Sequence, residues 1–401
     1  MQGFGAVMDQ KWIEKWKQDL DQLREELPKK HLNLYFGQSE ENFFWAIDKL
    51  KEELDEGDLD HFVVISRIAM IVAAFKDAHT TVYIPGKWFL PFDFYWFDEG
   101  IYIIGGLDSY SSLIGCRVTH INDFEIEEVI SRLKTVISYE NESFLKSQLP
   151  KYIQVAEVLY GLDIIKGLKE LSIVVEYGNG IASKIQIKTY TDQELSVDYI
   201  KIDDMLNDDI PLFRRGDENY WSQHLEEANT FYINYNCCKN MKSIGATAFF
   251  NGVIENINMS KVDKVVIDLR NNFGGNSRLL EPFIQDLKNW LLEDDRRRVF
   301  TIIGRDTFSS ALLNAYSLKN DVGAILVGEA SGGKPNCYGE VLYLELLNSK
   351  LRIRYSTKYY DIIEDDSQES LFPNMKFNVK FDDFIRCKDP VMEYILNGEV
   401  D

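Results

Sequence analysis

The sequence predicts a mixed fold, α/β in its C-terminal half and α+β over the chain as a whole. Three observations predict it. Residues 10–76 keep the helical spacing of apolar side chains. The spacing then changes to that of strands. Between residues 264 and 327, three unbroken β-branched runs alternate with two helix-like segments. Runs of that kind suit strands buried on both faces, as in parallel sheets.

The elements follow in chain order. Trp12, Trp16, Leu20 and Leu23 share one helical face among Lys, Asp and Glu. Phe43, Phe44, Ile47 and Leu50 repeat that spacing after the cap-like Ser39-Glu40-Glu41, and residues 64–75 form a third, more apolar segment. Thr80-Thr81-Val82-Tyr83-Ile84 reads as a strand ended by Pro85-Gly86. From 92 to 188 short strands alternate with turns: strands at 101–104 and 117–121, a helix at 126–133, and a hairpin of 171–177 with 184–189 around Gly178-Asn179-Gly180. The polar, acidic stretch 191–219 marks a boundary. The expected units are therefore a helical region at 1–90, a strand-rich module at 91–195 and a C-terminal core at 196–401.

In that core the apolar runs are 264–269, 300–303 and 324–327, with helices expected at 279–291 and 311–318. Strand–helix–strand connections are nearly always right-handed and leave the strands parallel. The loops that follow the three strands should then emerge at one edge, where open α/β sheets hold ligands. Those loops carry Gly274-Gly275, Ser309-Ser310 and Lys334.

Composition narrows the chemistry. The chain has 401 residues, 45% hydrophobic and 13% aromatic, as a folded protein requires, and a formal net charge of -21. Such acidity argues against a nucleic-acid partner, which needs clustered Lys and Arg. Five scattered cysteines with no CxxC pair, and no HExxH, give no disulfide framework and no metal or cofactor site. The start, MQGFGAVMDQKW, lacks the basic region and apolar core of a signal peptide, so a cytoplasmic location is expected unless a leader was removed. The most apolar segment, 68–75, is too short to span a bilayer.

A hydroxyl that attacks a carbonyl needs a base, a site for the developing oxyanion, and access. The turn before the helix at 311 supplies free N–H groups and the favourable end of a helix dipole. Gly274 and Gly275 let a backbone N–H approach a substrate oxygen. Asp306, Thr307, Ser309 and Ser310 also qualify as ordinary helix caps. Residues 328–334 match GxxxxGK, but Pro335 replaces the hydroxyl and helix of a phosphate-binding loop, so no nucleotide site is expected.

Three segments in this order resemble the tail-specific, or C-terminal processing, serine peptidases, with their tricorn-core and retinoid-binding relatives. They are Ile267-Asp268-Leu269-Arg270-Asn271-Asn272 with Gly274-Gly275, Arg305-Asp306-Thr307-Phe308-Ser309-Ser310-Ala311, and Val327-Gly328-Glu329 with Gly332-Gly333-Lys334. Asp77-Ala78-His79-Thr80 is similar to that family's Asp-x-His-Thr segment, and 113–129 to its PDZ-like module. The resemblance implies a crotonase/ClpP-like catalytic core of strand–turn–helix units beside a helical region and a PDZ-like module. It also implies a serine peptidase acting on peptides or unfolded protein, without cofactor.

The resemblance assigns Ser309 as nucleophile, Ser310 and Gly274 or Gly275 as oxyanion donors, and Lys334 as general base, with His79 as an alternative or supplementary base. Lysine starts near pKa 10.4 and must fall by about 3 units, at about 4 kcal/mol, to serve as a base at pH 7. Histidine starts near 6.5. A second reading stays open: Leu312 and Tyr338 depart from the family pattern, as expected of a non-catalytic peptide- or lipid-binding protein on the same scaffold.

Overall fold

The computed structural model describes residues 10–57, 59–206, 209–216, 218–365 and 367–398; most of the N-terminal stretch read for a leader lies outside them. Among the described residues no helix is long and apolar enough to cross a membrane.

Three helices open the chain: Gln10–Lys30, Glu40–Glu56 and His61–Ala73. Two start on the caps their sequences provide. Ser39 accepts the Asn42 N–H at 3.2 Å, and Asp60 accepts those of Phe62 and Val63. Trp16, Leu20, Leu23 and Leu27 form the buried stripe of the first helix.

The next sheet is antiparallel. Its order is Phe92–Phe97, Gly100–Leu107, Arg117–Ile121, Glu170–Glu176, Ala182–Lys188, with Tyr199–Lys201 also paired to Gly100–Leu107. The hairpin expected around Gly178-Asn179-Gly180 is present. Helix Ile126–Lys134 packs beside it, and helices Glu142–Ile153 and Ala156–Gly161 follow. Side chains of this sheet and of the three N-terminal helices share one core.

The C-terminal core is a six-stranded sheet in the order Met375–Lys376, Ile325–Gly328, Arg298–Ile303, Lys264–Asp268, Thr230–Tyr235, Tyr220–Leu225. All neighbours are parallel except the last pair. The three apolar runs are therefore adjacent parallel strands. One face is covered by helices Ala246–Ser260, Glu281–Leu292 and Ser310–Ser317 through Phe250, Leu287 and Ala311. The other face packs on helix Pro390–Asn397 through Val391, Met392 and Ile395.

A third, small sheet ties the ends of the chain together. Strands Cys337–Glu345 and Arg352–Tyr360 form a hairpin, and Thr81–Tyr83 pairs with the latter, Thr81 opposite Arg354. That pairing brings the loop of residues 77–80 to the C-terminal edge of the parallel sheet.

Candidate active site

Strand Arg298–Ile303 leads into a turn that is closed from three sides. Thr307 N–H donates to the Gly304 carbonyl at 2.9 Å. The Thr307 hydroxyl accepts the Gly304 N–H at 2.9 Å and donates to the Leu269 carbonyl at 2.8 Å. Ser309 then adopts φ 54° and ψ -126° just before helix Ser310–Ser317. A non-glycine residue held there is strained by about 1–3 kcal/mol, and such strain gathers at functional sites. The same sharp strand-to-helix turn exposes the nucleophile in serine hydrolases. The Ser309 hydroxyl makes no capping bond to the helix. It lies 3.1 Å from His79 Nε2.

His79 is held by a buried carboxylate. Asp77 Oδ1 accepts the His79 backbone N–H at 2.9 Å, while Oδ2 accepts from Thr80 Oγ1, from Ser356 Oγ at 2.7 Å and from His31 Nε2 at 3.0 Å. His31 Nδ1 accepts the Asn33 N–H, so the ring proton sits on Nε2 and points at Asp77. Burial pushes the Asp77 carboxyl up, but the hydrogen bonds and the nearby His79 outweigh it and hold it below the ordinary value. Arg354 fixes the same loop: its Nε donates to the His79 carbonyl at 2.9 Å and its Nη2 to the Ala78 carbonyl at 3.2 Å. The imidazole stacks on Phe308, with centroids 4.4 Å apart, and Phe144 packs on the same Phe308.

Burial lowers His79 to about 4, helped by Arg354 and opposed by Asp77. The ring is therefore neutral at pH 7. Its buried Nδ1 faces the Tyr338 carbonyl but makes no close hydrogen bond among the described residues. With the proton on Nδ1, Nε2 presents its lone pair to Ser309.

The glycine turn sits against this elbow. Asn272 organises it: its carbonyl accepts the Phe308 N–H, its Oδ1 accepts the Gly274 N–H at 2.8 Å, and its Nδ2 donates to the Tyr235 carbonyl. Cys238 N–H donates to the Gly274 carbonyl, and Asn276 N–H to the Cys238 carbonyl. Ser310 Oγ donates to the Gly275 carbonyl at 2.7 Å. The Gly274 amide is thus occupied, whereas those of Gly275 and Ser310 have no partner among the described residues. Side chains are excluded here. Gly274 has φ +100°, and a Cβ on it would stand 2.8 Å from Ser310 N and 2.9 Å from Ser309 Cβ.

Ser309, Ser310, Gly275 and His79 line one open cleft of about 700 Å³, together with Phe273, Arg278, Glu340, Arg354, Lys358 and Tyr360. Lys334 is not among the lining residues. It follows Gly333, whose N–H binds the Thr307 carbonyl, and its charge acts on the half-buried Glu140. Of the two bases the sequence offers, the structure therefore brings His79 to Ser309 and sets Lys334 beside Glu140. Leu312 is buried in the core of the parallel sheet. Tyr338 packs on His31 and Phe36, and its hydroxyl accepts from Asn33 Nδ2 at 3.1 Å. Sequence reasoning gave Asn272 no role beyond its motif and passed over His31 and Arg354, whose roles lie in contacts between distant segments. A smaller cavity of about 110 Å³, lined by Tyr95, Arg270, Arg305 and Asp389, contains neither Ser309 nor His79. Among the described residues no group of three or more His, Cys, Asp and Glu is placed to hold a metal ion.

The fold is shared with mature CPAF: TM-score 0.68 at 12% identity, over 96% of each chain. CPAF complexed with lactacystin aligns with TM-score 0.68 and 12% identity over 96% of this chain and 97% of that one. A serine-to-alanine mutant of CPAF aligns with TM-score 0.69 and 12% identity over 97% and 99%. The photosystem II D1 C-terminal processing protease aligns over 92% and 96% of the two chains at 10% identity, but its TM-score of 0.43 is too low to carry an argument. No protein-family model matches the sequence, and no curated protein matches it. At these identities the likeness to CPAF establishes the fold.

Proposed function

We propose that the chain is a serine peptidase that hydrolyses peptide bonds in unfolded or C-terminal segments. The observation that carries this reading is the 3.1 Å contact between a strained serine and a neutral histidine, beside two open backbone amides. Ser309 Oγ attacks the scissile carbonyl carbon as its proton passes to His79 Nε2. The oxyanion accepts from the Gly275 and Ser310 N–H groups. The imidazolium then gives its proton to the leaving amine as the C–N bond breaks. Water, deprotonated by the same nitrogen, cleaves the acyl ester and restores Ser309. Asp77 favours the transient imidazolium by its charge, though it binds the His79 backbone and not the ring. Lys334 has a structural part in this scheme, not that of the base.

The parallel sheet with its loop edge is read as a crotonase/ClpP-like core within 196–401, and the antiparallel sheet as the PDZ-like module within 91–195. In that role the module feeds peptide to the cleft by strand addition. Turnover of an unfolded, casein-like substrate by the wild type and by Ser309→Ala tests the proposal. Wild-type cleavage that disappears in Ser309→Ala is the expected result. Equal cleavage by both removes Ser309 from the mechanism. No cleavage, together with no labelling of Ser309 by a fluorophosphonate, favours the non-catalytic binding reading.

A further inference from the structure

The charge of the cleft opposes that of the protein. The chain carries a formal net charge of -21, yet Arg278, Arg354 and Lys358 line the cleft against a single carboxylate, Glu340. Glu340 is engaged by the Tyr360 hydroxyl at 3.0 Å. Basic side chains elsewhere are commonly matched by acids, as in Arg117–Glu176, Arg270–Asp389 and Arg305–Glu329. Among the described residues Arg278, Arg354 and Lys358 form no ion pair. Arg278 and Lys358 are exposed, and Lys358 Nζ sits 4.4 Å from the Tyr360 ring centroid.

The positive lining continues beyond Ser309. Arg354 also borders a second groove of about 360 Å³, lined by Tyr83, Tyr152, Tyr343 and Lys151. Lys151 Nζ lies 4.0 Å from the centroid of Phe273, which lines the first cleft. The two depressions therefore adjoin at Arg354 and Phe273, a path lined by cations and aromatic surface, with Asp306 acting on Lys151 at its far end.

Resting on the peptidase reading, we infer that this path selects peptides bearing Asp or Glu side chains beside the bond to be cut. A cleft of one sign in a protein of the other focuses the field and draws in oppositely charged segments. Exposed cations contribute a few-fold each, so Arg278 and Lys358 together predict a preference of about tenfold at low salt. The preference shrinks as salt shortens the screening length.

The test uses matched fluorescent peptides with Glu, Gln or Lys flanking one bond. Affinity is read by anisotropy on full-length Ser309→Ala, and turnover is read on the wild type. The expected order in both is Glu above Gln above Lys, narrowing at high salt. Adding Arg278→Glu and Lys358→Glu to each background should reverse the order of Glu and Lys. Equal affinity for the three peptides, or an order that the double substitution leaves in place, overturns the inference. Binding in the expected order without any turnover upholds the acidic preference while refuting hydrolysis, so the two readings fail separately.

Discussion

Replacing Gly274 by alanine probes how the glycine turn holds Ser309. The backbone there has φ +100°, and the new Cβ would stand 2.8 Å from Ser310 N, 2.9 Å from the Phe308 carbonyl oxygen and 2.9 Å from Ser309 Cβ. An L side chain at positive φ costs about 1–2 kcal/mol. Overpacking against backbone adds about 1–3 kcal/mol. The sum, about 2–5 kcal/mol, lowers the melting temperature by about 2–6 °C for a chain of this size. Relief must come from the elbow, because the nearest atoms belong to it. The Ser310 amide then leaves its place, and under the proposed mechanism the loss of one oxyanion donor costs about 2.7–4 kcal/mol, or about 100- to 1,000-fold in rate. Thermal melting and the rate of fluorophosphonate labelling at Ser309 read the two effects. Gly323→Ala is the control: φ is +78° there, but nothing lies within 4 Å of its Cβ. It should lose stability through strain alone and keep its labelling rate. If Gly274→Ala melts and labels like the wild type, the turn does not position the serine and the reasoning fails.

Two further predictions concern pH. Because burial lowers His79 to about 4, kcat/KM for peptide hydrolysis should rise with a one-proton slope around pH 4 and be level by pH 7. A limb confined to the alkaline range, where amines deprotonate, would contradict a histidine base. Glu140 bears on stability. Burial, with the Asp77 charge, raises its carboxyl from 4.5 to about 8, against the pull of the Ala78 amide and Lys334. Between those values the unfolded chain has released a proton that the folded chain keeps, so this group makes folding less favourable as pH rises through that window. Glu140→Gln should therefore gain in melting temperature over the wild type from pH 4.5 to pH 8. A difference that stays flat across that range would show Glu140 ionised in the fold.

Much of the core was legible because its signals are local. The runs at 264–269, 300–303 and 324–327 became adjacent parallel strands, since an unbroken β-branched run has few other places to be buried. Strand Thr230–Tyr235 was not singled out, although all six residues are buried, because Thr230 and Asn234 interrupt its apolar pattern. Helix Glu142–Ile153 escaped because Pro150 stands inside it. Ser309 was legible from its strand–turn–helix setting. Its partner was harder to read, because periodicity does not encode contacts across 230 residues. The pairing of Thr81 with Arg354 carries His79 to the elbow, and only the assembled small sheet reveals it. Lys334 leaves the expected edge of the parallel sheet, yet spacing alone does not say which way a side chain turns.

The identity of the base is therefore the central claim, and one measurement addresses it directly: the second-order rate of fluorophosphonate labelling at Ser309 in His79→Ala and in Lys334→Ala at pH 7. Removing a general base costs about 100- to 10,000-fold. A loss of that size in His79→Ala, with Lys334→Ala labelled within a few-fold of the wild type, is the predicted result. The reverse pattern would contradict it.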